Sequence, residues 1–175
     1  MEEKILLARV AEQAERFKDM VEFLQNAIQL KDREDFNTDQ RNLLSVGFKN
    51  LIGEQRNAIR TIDAIEKNPK YQKFGDALSN YKKKIEKELE ENCTKVVQIV
   101  ENDCMKLAAE DETKAFFYKM IGDYYRYAAE SADEASKEEI KNGAITGYGK
   151  AQEHSKELNA CNPIRLGLAL NFSVF

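Results

Sequence analysis

The sequence predicts an all-α protein, an antiparallel bundle of about seven helices in one domain that spans residues 1–175. Apolar residues recur at helical spacing along almost the whole chain, and no segment alternates apolar and polar residues between turns as a strand would. The 175 residues include only two prolines and eight glycines, and both prolines, Pro69 and Pro163, lie where helices should begin or end. This length is sufficient to bury a substantial core within a single domain.

The first two predicted helices are short and amphipathic. Residues 2–15 carry a thin apolar stripe that includes Ile5 and Ala8, and residues 17–30 carry a broader one that begins at Phe17. Neither stripe is large enough to be stable alone. Both helices must therefore pack against something else, which favours a dimer over a monomer.

Two long helices follow, over residues 39–66 and 72–107. Thr38 or Asp39 can cap the first of them. Gly53 lies inside that helix at a cost of about 1 kcal/mol relative to alanine, which indicates either close packing or room at a site.

The last three predicted helices cover residues 112–131, residues 134–159 and the segment from Pro163 to Phe175. Four aromatic side chains of the first of these are expected in the core: Phe116, Phe117, Tyr124 and Tyr125. The final helix ends on Phe-Ser-Val-Phe without a cap, so we expect further sequence to cover its apolar surface.

Composition excludes several classes of function. The formal net charge of -4 makes nucleic acid an improbable partner, and no apolar run approaches the roughly 20 residues that span a membrane. The three cysteines lack metal-binding spacing, which indicates reduced thiols in a cytoplasmic protein; Cys93 and Cys104, eleven positions apart, should share a buried face. His154 is interpreted as an isolated surface histidine, and Ser45 lacks a nearby base. We therefore expect no enzymatic activity, no metal and no cofactor.

A compact group of basic residues is the strongest functional signal. Four residues of the fifth helix share one face at spacing i, i+4, i+7 and i+8: Lys119, Asp123, Arg126 and Tyr127. Lys49 and Arg56 are seven positions apart and share a face of the third helix. If these faces meet, they form a basic pocket suited to a doubly charged phosphate group. Taken without other information, the same residues are better interpreted as ordinary solvated helix charges.

Four segments resemble signatures of the 14-3-3 family, in the family's order and across the whole chain. They are Ala11 to Arg16, Arg41 to Val46 with Lys49 and Asn50, Gly122 to Tyr127, and Asn162 to Phe175. The resemblance implies a dimeric fold, with nine helices when complete. It also implies a non-catalytic adaptor that regulates client proteins by holding a phosphoserine or phosphothreonine peptide in an amphipathic groove.

The resemblance also assigns residues to roles. Phosphate binding falls on Lys49, Arg56, Arg126 and Tyr127, and the peptide groove on Lys119, Leu170, Asn171 and Val174. Dimer contacts fall on Val10, Ala14, Arg16 and Asp19 of one subunit, facing Ala58, Tyr81, Lys84 and Glu88 of the other. Two ion pairs between subunits are implied, Arg16 with Glu88 and Asp19 with Lys84. Residues 1–30 would dimerise, and residues 39–175 would form the groove. Asp123 and Glu130 are expected to hold the basic side chains in place before a ligand binds.

The sequence departs from the family pattern at three points. Gln55 replaces one of two adjacent arginines, which predicts weaker attraction for anions. Ala58 occupies the position of a serine whose phosphorylation weakens the dimer in several members, so that switch should be absent. Family members also have two more helices beyond the point where this sequence ends, and these carry part of the groove wall. Expected partners are phosphorylated client proteins and a second 14-3-3 subunit, in a homodimer or heterodimer. The alternative function is a structural dimerisation partner whose incomplete groove binds no phosphopeptide.

Overall fold

The computed structural model describes residues 1–175 and contains seven α-helices and no strand. The helices are α1 (Glu2–Gln13), α2 (Phe17–Gln29), α3 (Thr38–Glu66), α4 (Gly75–Ile99), α5 (Asp111–Ala129), α6 (Lys137–Ser155) and α7 (Pro163–Val174). The all-α class and the number of helices are thus confirmed. A membrane-spanning segment requires a longer stretch of apolar residues than any of these helices contains.

The boundaries of the two long helices differ from the prediction. Asn37, rather than Thr38 or Asp39, caps α3: its side chain accepts the Gln40 N–H at 2.9 Å, and the Gln40 side chain accepts the Asn37 N–H at 3.2 Å. The predicted helix 72–107 is three elements. A 3-10 helix, Pro69–Phe74, precedes α4, and a π-helical turn, Val100–Cys104, follows it.

The main core lies among α1 to α5. Phe48, Val96 and Phe117 are fully buried there. The prediction for the aromatic residues of α5 is only partly right, because Phe117 and Tyr124 are buried, whereas Phe116 and Tyr125 are half-buried at the edge of the core.

The predicted buried face of the cysteines is confirmed. Cys93 and Cys104 are both free thiols within the core. Burial raises the pKa of Cys93 to about 12 and the pKa of Cys104 further, so both thiols stay protonated and unreactive at neutral pH.

The start of α5 is fixed to the start of α3. Arg41 is buried and donates to Thr113 Oγ1 at 2.9 Å. Asp35, in the loop before α3, accepts the backbone N–H groups of Ala109 at 3.2 Å and Glu110 at 2.7 Å. These contacts satisfy donors at the N-terminus of α5, and they hold α5 beside α3, so that the basic faces of the two helices meet.

Helices α5 and α6 approach closely where both carry glycine. A Cβ atom on Gly147 would lie 2.7 Å from the backbone N of Gly122, a distance that no real side chain tolerates. Gly53 differs, because a Cβ there would meet nothing within 4 Å. The close-packing interpretation of Gly53 is therefore wrong, and close packing is instead the role of Gly122 and Gly147.

Candidate functional site

A cleft of about 270 Å³ lies between α3, α5 and α7. Its lining residues are Ser45, Lys49, Phe116, Lys119, Met120, Asp123, Tyr124, Tyr127 and Asn171. Lys49 and Tyr127 face it from α3 and α5, because the contacts at the start of α5 place these helices side by side. One wall is aromatic, and the other groups are polar or charged.

Two arginines converge on Tyr127 beside this cleft. The guanidinium carbon of Arg56 lies 4.1 Å from the Tyr127 ring centroid, and that of Arg126 lies 4.5 Å from it. Such contacts orient planar cations against the ring. The structure therefore brings together all four residues of the predicted phosphate-binding set. Lys49 belongs to this set by position, because it lines the same cleft as Tyr127.

Glu130 holds the two arginines from the solvent side. Its carboxylate accepts from Arg56 Nε at 3.0 Å and Nη2 at 2.7 Å, and it lies 3.9 Å from Arg126 Nη1. The expectation that Glu130 orients basic side chains is confirmed. With Lys49 and Lys119, the group has four cations against two carboxylates, Glu130 and Asp123, which leaves a local excess of positive charge in a protein whose net charge is -4.

Asp123 is the second organising carboxylate, and it is 8% exposed. Its Oδ2 accepts from Lys119 Nζ at 2.7 Å. Its Oδ1 accepts from Asn171 Nδ2 and from the Tyr148 hydroxyl, both at 2.7 Å. The expected role of Asp123 in holding Lys119 is confirmed, and the carboxylate also joins α5 to α6 and α7.

Tyr148 is a residue of this site that the sequence did not indicate. It lies on α6, the helix with the weakest apolar pattern, and its hydroxyl also accepts from Arg126 Nε at 3.0 Å. The available signal was a single tyrosine between Gly147 and Gly149. A glycine beside a large aromatic residue in a helix is consistent with a close approach of another helix; Gly147 makes that approach, and Gly149 does not.

The apolar side of the predicted groove lies along α7. Leu170 and Val174 are 65% and 70% exposed, and Leu166 extends the same stripe one turn toward the N-terminus. Asn171, by contrast, lines the cleft. The structure therefore places Asn171 and the two apolar members of the predicted peptide-groove set on neighbouring faces of α7, while Lys119 faces the cleft from α5.

The predicted dimer residues lie at the surface. Val10, Ala14, Tyr81 and Lys84 are exposed, and Ala58 and Glu88 are half-buried. Arg16 and Asp19 form an ion pair with each other within the chain. The proposed pairing of Arg16 with Glu88, and of Asp19 with Lys84, stays a prediction.

The interpretation of His154 as an isolated histidine is wrong. Its Nδ1 lies 2.8 Å from Asp111 Oδ1, and its ring stacks on Tyr118 with 5.5 Å between centroids. The carboxylate is 43 residues away in sequence, so local spacing could not reveal it. The contact links the end of α6 to the start of α5, and no group of three or more metal-binding side chains is assembled around it or elsewhere.

A family model described as "14-3-3 protein" matches residues 7–175. The chain belongs to the 14-3-3 family. The chain is 40% identical to a 14-3-3-like protein of Pisum sativum and 41% identical to one of Oenothera elata subsp. hookeri, in each case over 99% of this chain and 68% of the relative. It is 39% identical to 14-3-3-like protein C of Nicotiana tabacum over the same shares.

Membership of the 14-3-3 family confirms the resemblance drawn from the four sequence segments. Proteins of the 14-3-3 family are adaptors without catalytic activity, which agrees with the expectation that this protein is not an enzyme. The match begins within α1 and runs to the end of α7, so the cleft and its arginines lie inside the family region.

Proposed function

We propose that this protein is a phosphoserine- or phosphothreonine-peptide-binding adaptor that regulates its clients as a dimer. One observation carries the proposal. The guanidinium groups of Arg56 and Arg126 converge on the Tyr127 ring at the edge of a cleft that Lys49 also lines. A local excess of cations with a hydroxyl donor suits a compact dianion better than an extended polyanion.

The ion pairs leave donors for a phosphate. Glu130 occupies Nε and Nη2 of Arg56, so Nη1 remains. Arg126 donates one hydrogen bond, from Nε to Tyr148, while its Nη1 and Nη2 lie 3.9 Å from Glu130 and Asp123, beyond hydrogen-bond distance. Each charge-assisted hydrogen bond contributes about 1.5–3 kcal/mol net. Three or four such bonds supply most of a micromolar affinity, near -8 kcal/mol.

The rest of the cleft suits an extended peptide. Asn171 donates to Asp123 through Nδ2, so its carbonyl oxygen remains to accept a backbone N–H from a ligand. The stripe of Leu166, Leu170 and Val174 offers an apolar surface beside these polar groups. A phosphorylated segment of a client protein would contact both faces.

The same proposal divides the chain into two parts. Residues 1–30 form the dimerising helices, where Leu6 and Val10 are exposed and large enough to drive association with Tyr81 of a second subunit. Residues 39–175 form the groove. The proposed ion pairs of Arg16 and Asp19 with the partner would add only about 0–1 kcal/mol each, because they are exposed. A cytoplasmic location accords with the free thiols.

The test is fluorescence anisotropy with a phosphoserine peptide and its unphosphorylated counterpart. We expect tighter binding of the phosphorylated peptide, and loss of that preference in Arg126→Glu. Arg33→Glu is the matched control, because Arg33 is exposed in the loop before α3. Equal affinity for both peptides in the native protein would contradict the proposal and would favour a purely structural dimerisation partner.

A further inference from the structure

Tyr148 bridges two charged residues of the candidate site. Its hydroxyl donates to Asp123 Oδ1 at 2.7 Å and accepts from Arg126 Nε at 3.0 Å. Both partners lie on α5, whereas Tyr148 lies on α6. The hydroxyl therefore holds the Arg126 side chain from a second helix, whereas the contacts of Arg126 with Asp123 and Glu130, both at 3.9 Å, come from α5 and its C-terminal cap.

The bridge extends to the groups that line the cleft. Asp123 uses the same Oδ1 to hold Asn171 and its Oδ2 to hold Lys119, each at 2.7 Å. A continuous path of hydrogen bonds thus runs from Arg126 through the Tyr148 hydroxyl and the Asp123 carboxylate to Asn171. Arg126, of the proposed phosphate-binding set, and Asn171, of the proposed peptide groove, are therefore both held through the Asp123 carboxylate.

The Tyr148 ring has little freedom to move. A Cβ atom on Gly122 would lie 2.6 Å from the ring, so α5 and α6 meet there without a gap. On the other side the ring stacks on Phe172 of α7, with 5.1 Å between centroids. Burial, together with the charge of Asp123, raises the pKa of Tyr148 above its ordinary value, so the hydroxyl keeps the proton that it donates.

We infer that Tyr148 is a positioning residue for phosphopeptide recognition. Its hydroxyl orients the Arg126 guanidinium toward the phosphate. Through Asp123, it also links that guanidinium to Lys119 and Asn171. This inference rests on the proposed function. Fixing a side chain before the ligand arrives removes part of the ordering cost of binding, so loss of the hydroxyl should weaken affinity without removing any group that touches the ligand.

The test is Tyr148→Phe, which keeps the ring packing and removes only the hydroxyl. We expect binding of the phosphoserine peptide to weaken by about tenfold and binding of the unphosphorylated peptide to change little. Tyr125→Phe is the matched control, because Tyr125 also lies between α5 and α6, against Gly143, and its hydroxyl makes no hydrogen bond to another residue. It should leave both affinities unchanged.

A double-mutant comparison separates positioning from a general loss of structure. In an Arg126→Lys background the Nε donor is gone, so adding Tyr148→Phe should weaken phosphopeptide binding by only about threefold or less. A residue with a purely structural role would produce the same loss in both backgrounds. The ¹⁵N resonance of Arg126 Nε, assigned by its disappearance in Arg126→Lys, should shift in Tyr148→Phe and not in Tyr125→Phe.

The outcomes separate the two proposals. If the native protein binds both peptides equally, the phosphopeptide function fails and the positioning role fails with it. If the native protein prefers the phosphopeptide but Tyr148→Phe behaves like Tyr125→Phe, only the role of Tyr148 is overturned. An equal loss in both Arg126 backgrounds, or an unchanged Nε resonance, overturns it too.

Discussion

Arg56 and Glu130 form a two-point ion pair between α3 and the end of α5, with Nε–Oε2 and Nη2–Oε1 distances of 3.0 and 2.7 Å, although they are 74 residues apart. The Glu130 side chain is 41% exposed, so the pair contributes only about 0–1 kcal/mol to stability. Its consequence is geometric. The fork holds the guanidinium plane against the Tyr127 ring, and Nη1 remains free for a ligand.

Arg56→Lys keeps the charge and removes the fork. We expect about a tenfold loss of affinity for a phosphoserine peptide, because a lysine ammonium can neither hold Glu130 at two points nor stack as a plane on Tyr127. Fluorescence anisotropy measures the change. Arg33→Lys is the control, and an unaltered affinity in Arg56→Lys would mean that only the charge at this position matters.

Val10→Asp should dissociate the proposed dimer. A two-fold interface would carry the new carboxylate twice, and desolvating each costs at least about 1–2 kcal/mol, so the dissociation constant should rise by about 100-fold. Analytical ultracentrifugation measures it. Ile145→Asp is matched in exposure, 51% against 55% for Val10, but lies on α6. It should leave the association unchanged, and equal behaviour of the two variants would argue against an interface at α1.

Asp35→Asn should lower stability at neutral pH by about 1–2 kcal/mol, because the carboxylate caps the start of α5. Partial burial opposes ionisation of Asp35, but the N–H groups of Glu110, Phe36 and Ala109 outweigh it and hold the pKa of Asp35 below its ordinary value. Its stabilisation is therefore complete above the unfolded pKa, about 3.9, and disappears as pH falls through the folded pKa.

Urea unfolding at several pH values tests this sign. The difference in unfolding free energy between the native protein and Asp35→Asn should be constant from pH 7 to about pH 5 and shrink below about pH 4. Asp32→Asn changes an exposed carboxylate in the same loop and should show no such dependence. A difference that grows toward acid pH would contradict the capping role.

Gly147→Ala and Gly149→Ala should have opposite effects on stability. A Cβ on Gly147 meets the backbone of Gly122, which cannot move aside, so we expect a loss of about 2 kcal/mol. A Cβ on Gly149 meets nothing within 4 Å, so the better helix propensity of alanine should add about 1 kcal/mol. Thermal and urea unfolding measure both, and stabilisation by Gly147→Ala would contradict the close approach of α5 and α6.

The sequence was informative wherever the signal is local. Helical periodicity identified all seven helices, and spacing along α5 placed Lys119 and Asp123 on one face, where they form an ion pair. The sequence was less informative at the ends of helices: Asn37, and not Thr38, caps α3. Several adjacent polar side chains can each accept the same N–H, and only the backbone geometry selects one of them.

The sequence did not predict side-chain contacts between helices that are distant along the chain. The pairing of His154 with Asp111 and the bridge from Tyr148 to Asp123 join residues 43 and 25 positions apart. Neither follows from periodicity, which describes the face of a helix and not what packs against it. Family resemblance supplied the phosphate-binding set but no residue of α6.

The sequence by itself therefore determined which charges share a helix face, because residue types at helical spacing decide this. Lys49 shares a face with Arg56, and Arg126 shares one with Tyr127. Only the tertiary structure decided how those charges are held. Glu130 fixes the Arg56 fork, and Tyr148 reaches Arg126 because two glycines let α6 approach α5 closely. The reason is physical: a repeat of 3.6 residues sets direction within one helix, whereas a hydrogen bond of about 3 Å depends on the separation and rotation of two helices.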